Sequence, residues 1–484
     1  MLKLLIVEAV SGDPYHTVFA PLGPAYLASY IVKYSKVKDI DIKVIFSSGE
    51  FNFLHYNPDI VGISSVTETF NVAKKIAAFV KRHKNIPVIV GGVHISALPE
   101  NLTIDMDVAV IGEGEQTLLE LLEVISDGGG ITVDKLSQIS GIAYRNNGNL
   151  KRTQERGLIS PPDLIPLPAR NVLPGSKRER NIWMMTSRGC PYNCSFCSAS
   201  QFWKRVRFFS PEYVLSEIKE LIKVYNPKTI NIVDDLFIAN KSRFNQIMEL
   251  ILQEKINEKV EFTLLARPNL INEEICQQFK KMNVSLVSCG FESGSPRVLK
   301  SIKQGLSVED NINATRLLNK YGISVGAFFM MGMPGETVED MQLTYNFIQE
   351  QGYCRGESYL MTPFPGTQIW EFAKSKGIVN DYMNWDLFAM DFYKHPKDAI
   401  IVSDIDRGQL YKIYMSARQM WERKKVECTS PFELFRGAGI VYLAKLLRYN
   451  PYRMWSFFVA FVQVKVIYFI KSIKRFLRRA IRLD

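Results

Sequence analysis

Twice along its length the chain alternates short β-branched runs with stretches of helical period. That pattern confines it to parallel sheets covered by helices. The first alternation puts strands near residues 4–9, 42–46, 60–64, 88–90 and 108–111, with helices near 25–33, 72–83 and 117–125. It predicts a doubly wound, Rossmann-like α/β domain over residues 1–130, with ligands outside the carboxyl ends of the strands. A glycine run after Ser126 closes this unit. Turn-forming segments at 145–149, 160–163 and 165–168 mark residues 131–180 as a linker, with 146–180 lying across the surface.

The second alternation puts strands near 182–186, 229–233, 260–265, 284–290, 323–329 and 357–361. Six βα units in succession predict a partial (β/α)6 barrel over residues 181–377, with chemistry on the loops at the strands' carboxyl ends. A helical extension (378–435) and a basic tail (436–484) follow. At 484 residues, 47% hydrophobic and 23% charged, the composition is that of a folded chain of two or three domains.

Seven cysteines are too few for a disulfide scaffold, and three of them are bunched. This favours a reducing compartment and a metal or catalytic use. The run from Met1 enters a strand and is too short for a signal peptide, so a cytoplasmic location is expected. The formal charge of +11 is concentrated at one end: residues 437–484 hold ten Lys or Arg and one acidic residue. The apolar stretch 454–470 carries Ser456, Gln463 and Lys465 and is marginal as a membrane span. In 471–484, basic residues at 471, 474, 475, 478, 479 and 482 oppose Ile473, Phe476, Leu477, Ala480 and Ile481. That is the pattern of a helix lying on an anionic membrane face, the alternative being a solvated helix on the enzyme's own body. Nucleic acid is not expected as a partner, because no recognised module accompanies the charge.

The segment Thr186-Ser-Arg-Gly-Cys190-Pro-Tyr-Asn-Cys194-Ser-Phe-Cys197 follows the first barrel strand directly. Thiolates are the usual ligands of iron–sulfur clusters, and three of them on a four-iron cube leave one iron open. A small molecule can bind there, as at the open position of a catalytic metal. The alternative is structural zinc, which needs a fourth ligand; no histidine and no further cysteine lies near in sequence. Cys276, Cys289, Cys354 and Cys428 read as ordinary buried residues.

The spacing Cys-x3-Cys-x-Phe-Cys at this position resembles the radical S-adenosylmethionine enzymes. The segments Val233-Asp-Asp-Leu-Phe, Gly290-Phe-Glu-Ser-Gly, Gly332-Met-Pro-Gly-Glu and Thr362-Pro-Phe-Pro-Gly-Thr367 extend the likeness over roughly 182–377, in the family's order. The resemblance implies a 4Fe-4S cluster on Cys190, Cys194 and Cys197 that reduces S-adenosylmethionine to a 5′-deoxyadenosyl radical. An external donor of the ferredoxin or flavodoxin type would supply the electron. It also implies S-adenosylmethionine contacts from Phe196, Asp234 or Asp235, Arg267, Glu292, Ser293, Gly332 and Gly335. Phe196 suits an adenine contact or simple packing. Strand alternation lets only one of Asp234 and Asp235 face the site. Arg267 can meet the methionine carboxylate or form a structural ion pair. Glu292 ends a buried strand, where an unpaired carboxylate is costly, and this favours a ligand role.

Residues 1–130 resemble the cobalamin-binding domain that precedes one subgroup of these enzymes. The likeness rests on 21–28, 61–67, 90–94 and 111–115. It implies cobalamin contacts at Gly23, Ser65, Thr67, Gly91, Gly92, His94, Gly112, Glu113 and Gly114. The loop Gly12-Asp-Pro-Tyr-His16-Thr departs from the family's Asp-x-His-x-x-Gly, so no histidine is named as a cobalt ligand. The expected function is cobalamin-dependent modification of an unactivated carbon, foremost C-methylation of an apolar or lipid-like small molecule. Oxidative cyclisation or another C–C bond-forming reaction is the alternative within enzymes, and a cobalamin or redox sensor the alternative outside them. A methylthiotransferase is disfavoured, because no cysteine precedes Cys190.

Overall fold

The computed structural model describes residues 1–11, 22–49, 55–127, 130–174, 180–389 and 391–428. The first sheet contains β1 (Leu2–Ala9), β2 (Ile40–Ser47), β3 (Ile60–Ser64), β4 (Val88–Gly91), β5 (Val108–Val110), β6 (Ile142–Asn146) and β7 (Asn149–Arg152). They lie in the order β2-β1-β3-β4-β5-β6-β7, and the first five are parallel. The chain runs outward in opposite directions from β1 and β3, and this switch point opens a crevice at their carboxyl ends.

Side-chain alternation along β1 builds both faces of this unit. Leu5 and Val7 join the core with Phe70, Ala73 and Ile76 of the helix Phe70–His83. Leu4 and Ile6 join the opposite core with Ile31 of the helix Leu22–Tyr34 and Leu118 and Leu121 of the helix Glu115–Ser126. A strand covered on both sides has to be a continuous apolar run, which Leu4–Val7 is.

The stretch 131–180 was expected to be a linker, but part of it belongs to the sheet. β5 pairs antiparallel with β6, and β6 with β7. Asn147 and Gly148 hold the turn at φ 49° and 79°. Two consecutive left-handed residues are what a tight hairpin turn requires, so the Asn-Gly pair marks a hairpin rather than a connector.

The second sheet is formed by β8 (Asn181–Met184), β11 (Thr229–Ile232), β12 (Glu261–Ala266), β13 (Val284–Glu292), β14 (Ser324–Met331) and β15 (Arg355–Leu360). All six are parallel, in the order β8-β11-β12-β13-β14-β15, as a partial barrel requires. A short antiparallel ribbon of β9 (Ser187–Arg188) and β10 (Arg207–Phe208) stands beyond the end of β8. The barrel core includes Met184, Ile232, Phe262, Val287, Phe291 and Phe329, and Tyr26 from the front unit reaches into it.

The helix Arg407–Cys428 packs on β15. Its Trp421 is buried and donates from Nε1 to Ser358 Oγ at 2.9 Å. Gly356 makes room for that ring: an added Cβ would stand 2.4 Å from Trp421 Cη2 and 2.2 Å from Ala327 O. Cys354 and Cys428, expected to be ordinary buried residues, are joined in a disulfide and exposed. Their separation of 74 residues hides that β15 begins where this helix ends. Among the described residues no helix is long and apolar enough to cross a membrane. The expected tail helix at 471–484 and the apolar stretch 454–470 lie outside the described residues, as does the loop 12–17.

A further surprise is Trp385, which leaves the barrel side to pack on the front unit. His94 lies between Phe70 and Trp385, with ring centroids 4.0 and 4.4 Å away. Its Nδ1 is 3.3 Å from Thr67 Oγ1, and Trp385 Nε1 donates to Asn101 Oδ1 at 2.9 Å. Burial lowers the His94 pKa from 6.5 to about 4.

Two outcomes follow from this packing. Gly356→Ala forces Trp421 from its seat and costs about 1–3 kcal/mol, read as a lower thermal unfolding midpoint. His94 stays neutral in the fold while its unfolded counterpart protonates, so its stabilisation is complete above pH 6.5 and fades as pH falls toward 4. Over that window wild type loses roughly 3 kcal/mol that His94→Gln does not lose, measurable by denaturant titration at several pH values.

Candidate active site

Cys190, Cys194 and Cys197 are half-buried on the loop that follows β9. Gly189 turns the chain into this loop at φ 91°, where a Cβ would meet Arg205 O and Trp203 Cβ at 2.9 Å. No other residue fits that turn without displacing backbone. The loop is pinned to the barrel at Ser195, whose N–H donates to Ile302 O at 3.1 Å and whose carbonyl accepts from Ile369 N at 3.2 Å.

Burial raises the pKa values of Cys190 and Cys197, and Asp235 adds to the effect. The unliganded thiols are therefore protonated at neutral pH, and metal uptake releases protons. The guanidinium of Arg267 lies against the third thiol, with Nη1 3.6 Å from Cys194 Sγ. It also lies 3.9 Å from the Tyr192 ring centre, and it donates to Asn269 Oδ1 and Gln304 O. No carboxylate among the described residues pairs with Arg267, whose guanidinium lies beside the cysteine loop. Among the described residues, no three His, Cys, Asp or Glu side chains gather tightly enough for a single metal ion. A four-iron cube binds each thiolate at a separate iron, so three cysteines on one loop suit an iron–sulfur cluster.

The adjacent aspartates, in the loop just after β11, take different partners. Asp234 points under the loop and accepts from Thr186 N and Oγ1 at 2.5 Å and from Ser187 Oγ at 2.6 Å. Asp235 faces the thiols and is held by the Gly189 amide. Partial desolvation by the neighbouring loop and then Asp234 raise the Asp235 carboxyl, which keeps an exposed side. Glu292 stands at φ 63° on a register shift between β13 and β14. Its carboxylate is not unpaired: Lys303 Nζ donates to Glu292 Oε1 at 2.8 Å and to Gly290 O at 2.6 Å. Sequence reasoning missed Lys303 because it comes from the turn that ends the next helix, Pro296–Ile302.

Ser293 Oγ is 2.9 Å from Thr344 Oγ1 and accepts from Ser295 N, so it braces its own loop. Gly332 and Gly335 both have positive φ and shape the turn after β14. The Gly332 N–H donates to the Glu336 carboxylate at 2.7 Å, and that of Gly335 to Asp404 at 3.2 Å. Phe196 packs beside the apolar cluster that includes Val298, Ile302 and Ile369.

In the front unit, a cavity of about 240 Å³ opens at the carboxyl ends of β1, β3, β4 and β5. Gly23, Gly62, Gly91, Gly92, Gly112 and Gly114 line it. Gly23 and Gly112 face open space, whereas a Cβ on Gly92 (φ 109°) would meet Ser65 O at 2.2 Å. Ser65 Oγ is buried without a partner among the described residues. A glycine-walled slot with an unused hydroxyl beside it fits part of a large polar cofactor such as cobalamin.

Two residues expected at this site have side chains engaged elsewhere, although Glu113 itself borders the cavity. His94 is turned inward by the Gly92 turn and buried between aromatic rings, away from the cavity wall. Glu113 spends its carboxylate on Arg188 and Arg207, so both of its oxygens are taken by the barrel side. Thr67 lies at the edge of a second, larger cleft of about 650 Å³. Thr67, Val93 and Gly112 wall that cleft from the front unit, Gln201 and Phe202 from the cysteine loop, and Phe364 from the end of β15.

Residues 184–348 match the Radical SAM superfamily and residues 13–122 the B12 binding domain. An uncharacterized methyltransferase of Pyrococcus horikoshii is 36% identical over 402 residues, covering 80% of this chain and 86% of that protein. The anaerobic magnesium-protoporphyrin IX monomethyl ester cyclase of Rubrivivax gelatinosus is 26% identical, covering 78% and 68%. Among solved structures, the cobalamin-dependent S-adenosylmethionine radical enzyme OxsB aligns with a TM-score of 0.70 at 20% identity, covering 95% of this chain and 72% of that one. The radical S-adenosylmethionine methyltransferase TsrM of Kitasatospora setae aligns at 0.64 and 19%, covering 78% and 77%. The chain therefore belongs to the radical SAM superfamily, in the group with a B12-binding domain ahead of the barrel, and is a radical SAM enzyme whose cofactors are a 4Fe-4S cluster, S-adenosylmethionine and cobalamin.

Proposed function

We propose that this enzyme methylates an unactivated carbon of a small, largely apolar molecule. One observation carries the reading: the cleft of about 650 Å³ is walled by the front unit, the cysteine loop and the end of β15 together. Groups held on the two units would share one cleft. When bound, the cluster and S-adenosylmethionine supply hydrogen-atom abstraction from an inert C–H bond, and cobalamin supplies a methyl carrier.

Within this reading Cys190, Cys194 and Cys197 hold the cluster. Asp235, Phe196, Glu292 with Lys303, and the Gly332–Gly335 turn hold S-adenosylmethionine, while Arg267 steadies the loop. Gly23, Ser65, Thr67, Gly91, Gly92, Gly112 and Gly114 accommodate cobalamin. The cleft wall supports an apolar substrate. Val66, Val93, Ala97, Ile111, Leu158 and Phe364 supply hydrocarbon surface. Its cations are already paired, Arg152 with Glu100, Arg156 with Glu120 and Lys204 with Glu155. Phe202 and Phe364 keep water from the reacting carbon. An external ferredoxin- or flavodoxin-type donor delivers the electron. The basic tail at 471–484 suits an anionic membrane face, where apolar substrates collect.

Cyclisation is the second reading, favoured by the likeness to the anaerobic cyclases. Protein purified without oxygen, reconstituted with iron, sulfide and hydroxocobalamin, reduced and given S-adenosylmethionine is expected to release 5′-deoxyadenosine. Cys194→Ser lowers that release by roughly two orders of magnitude. Product mass decides between the readings: methylation adds one CH2, whereas a product with an unchanged carbon count rejects it. Iron uptake without any deoxyadenosine rejects both in favour of a sensor.

A further inference from the structure

The ribbon of β9 and β10 sets Arg207 directly opposite Arg188. Like charges facing across a ribbon repel, and here both side chains are buried, at 4% and 5% exposure. The carboxylates that answer them come from the other unit. Glu113 Oε1 accepts from Arg188 Nη1 at 2.6 Å and from Arg207 Nη2 at 2.8 Å. Glu113 Oε2 accepts from Arg207 Nη1 and from Ile159 N, both at 2.9 Å. Glu115 Oε1 accepts from Arg188 Nη2 at 2.6 Å. Trp203 lies against both guanidiniums, at 5.4 and 5.8 Å, and Tyr26 against Arg188 at 5.1 Å. Burial alone would raise the Glu113 carboxyl; the bonds from Arg207 and the charge of Arg188 reverse that and lower it.

The position of this cluster gives it a consequence. Arg188 is two residues before Cys190, with only the strained turn at Gly189 between them. Glu113 stands between Gly112 and Gly114, in the turn that lines both the small cavity and the large cleft. We propose that Glu113 and Glu115 are positioning residues for the cysteine loop: the cobalamin-binding unit supplies the counter-charge that lets the ribbon carrying Cys190 close. Anything that fixes the 112–114 turn then favours cluster retention, and by linkage a bound cluster favours whatever fixes that turn. This deepens the proposed function, because it rests on the cysteine loop being the cluster site.

The test compares full-length wild type with Glu113→Gln, Glu115→Gln and the double variant Glu113→Gln/Arg207→Gln. Each is reconstituted without oxygen using iron and sulfide. Iron and sulfide per chain, the electron paramagnetic resonance spectrum of the reduced cluster, and hydroxocobalamin binding by absorbance are then measured. Circular dichroism reports folding. Glu113→Gln is expected to lose about half or more of its iron and to alter the spectrum, because two buried cations are left with one carboxylate. Glu115→Gln loses less. The double variant recovers iron, because the second cation leaves with its partner.

Full iron and an unchanged spectrum in Glu113→Gln overturn the proposal. So does a variant that binds cobalamin poorly while holding its cluster normally, which would return Glu113 to the cobalamin site. Failure of the double variant to recover iron overturns the charge-balance account even if Glu113→Gln does not fold. A wild type that takes up no iron overturns the reading of the three cysteines beneath it, and is told apart by that control.

Discussion

The junction between the two sheets depends on a charge balance that neither unit achieves alone. Arg188 and Arg207 bring two cations out of water, and Glu113 and Glu115 neutralise them across the boundary. A buried pair of this kind adds little net stability, but breaking it leaves an uncompensated charge at a cost of about 3–5 kcal/mol. It therefore specifies an arrangement rather than strengthening one. The apolar contacts nearby follow the same line: Tyr26 stacks toward Phe209 at 6.3 Å and belongs to the barrel's core. On the far side of the cleft, Asn71 donates to Asn384 Oδ1 at 2.6 Å, and Trp385 closes over His94. The cleft is held open between two fixed seams.

Beneath the cysteine loop a second balance fixes its origin. Thr186 is held at three atoms: its N–H and hydroxyl by Asp234, and its carbonyl by Arg243 Nη2 at 2.5 Å. Arg243 Nε donates to Phe209 O at 2.7 Å, so the same side chain secures both ends of the ribbon. Burial raises Asp234, and the hydrogen bonds from Ser187 and Thr186 oppose it. With Arg267 against Cys194 on the other side, the loop is located before any ligand arrives, which spares ordering cost at binding.

The architecture was legible because periodicity reports it: the two parallel sheets and the six βα units of the barrel follow from alternation. The cysteines were legible because their spacing is local; Asp234 and Asp235 do take different partners, but from the loop after β11 rather than from the strand. What escaped depends on contacts between distant segments. Lys303, just past the next helix, neutralises Glu292, a partner that the sequence around the strand end does not reveal. His94 was misplaced because the composition of 90–94 does not say which way a residue after Gly92 will turn. Glu113 borders the cavity as its flanking glycines do, but no local motif reveals that its carboxylate also serves Arg188 and Arg207. The hairpin at 142–152 had its Asn-Gly signal in plain view, but its short strands look like linker until β5 offers an edge to pair with.

The cysteines pose the remaining tension, since a cluster wants reduced thiols while Cys354 and Cys428 are cross-linked. Exposure resolves it. The cross-linked pair is at the surface, open to solution thiols, whereas Cys276 and Cys289 are buried with raised pKa values. A surface cross-link tracks the redox poise of its surroundings, so the fold cannot lean on it in a reducing compartment. The helix Arg407–Cys428 has other anchors. Leu410, Tyr414 and Ala417 enter a core with Met331, Met341 and Phe392, and Arg418 lies 3.9 Å from the Tyr393 ring centre. Trp421 fills the space that Gly356 leaves on β15. The helix is seated by packing along its length, and the cross-link lies at its last residue, where it governs the departure of the chain rather than the closure of the barrel.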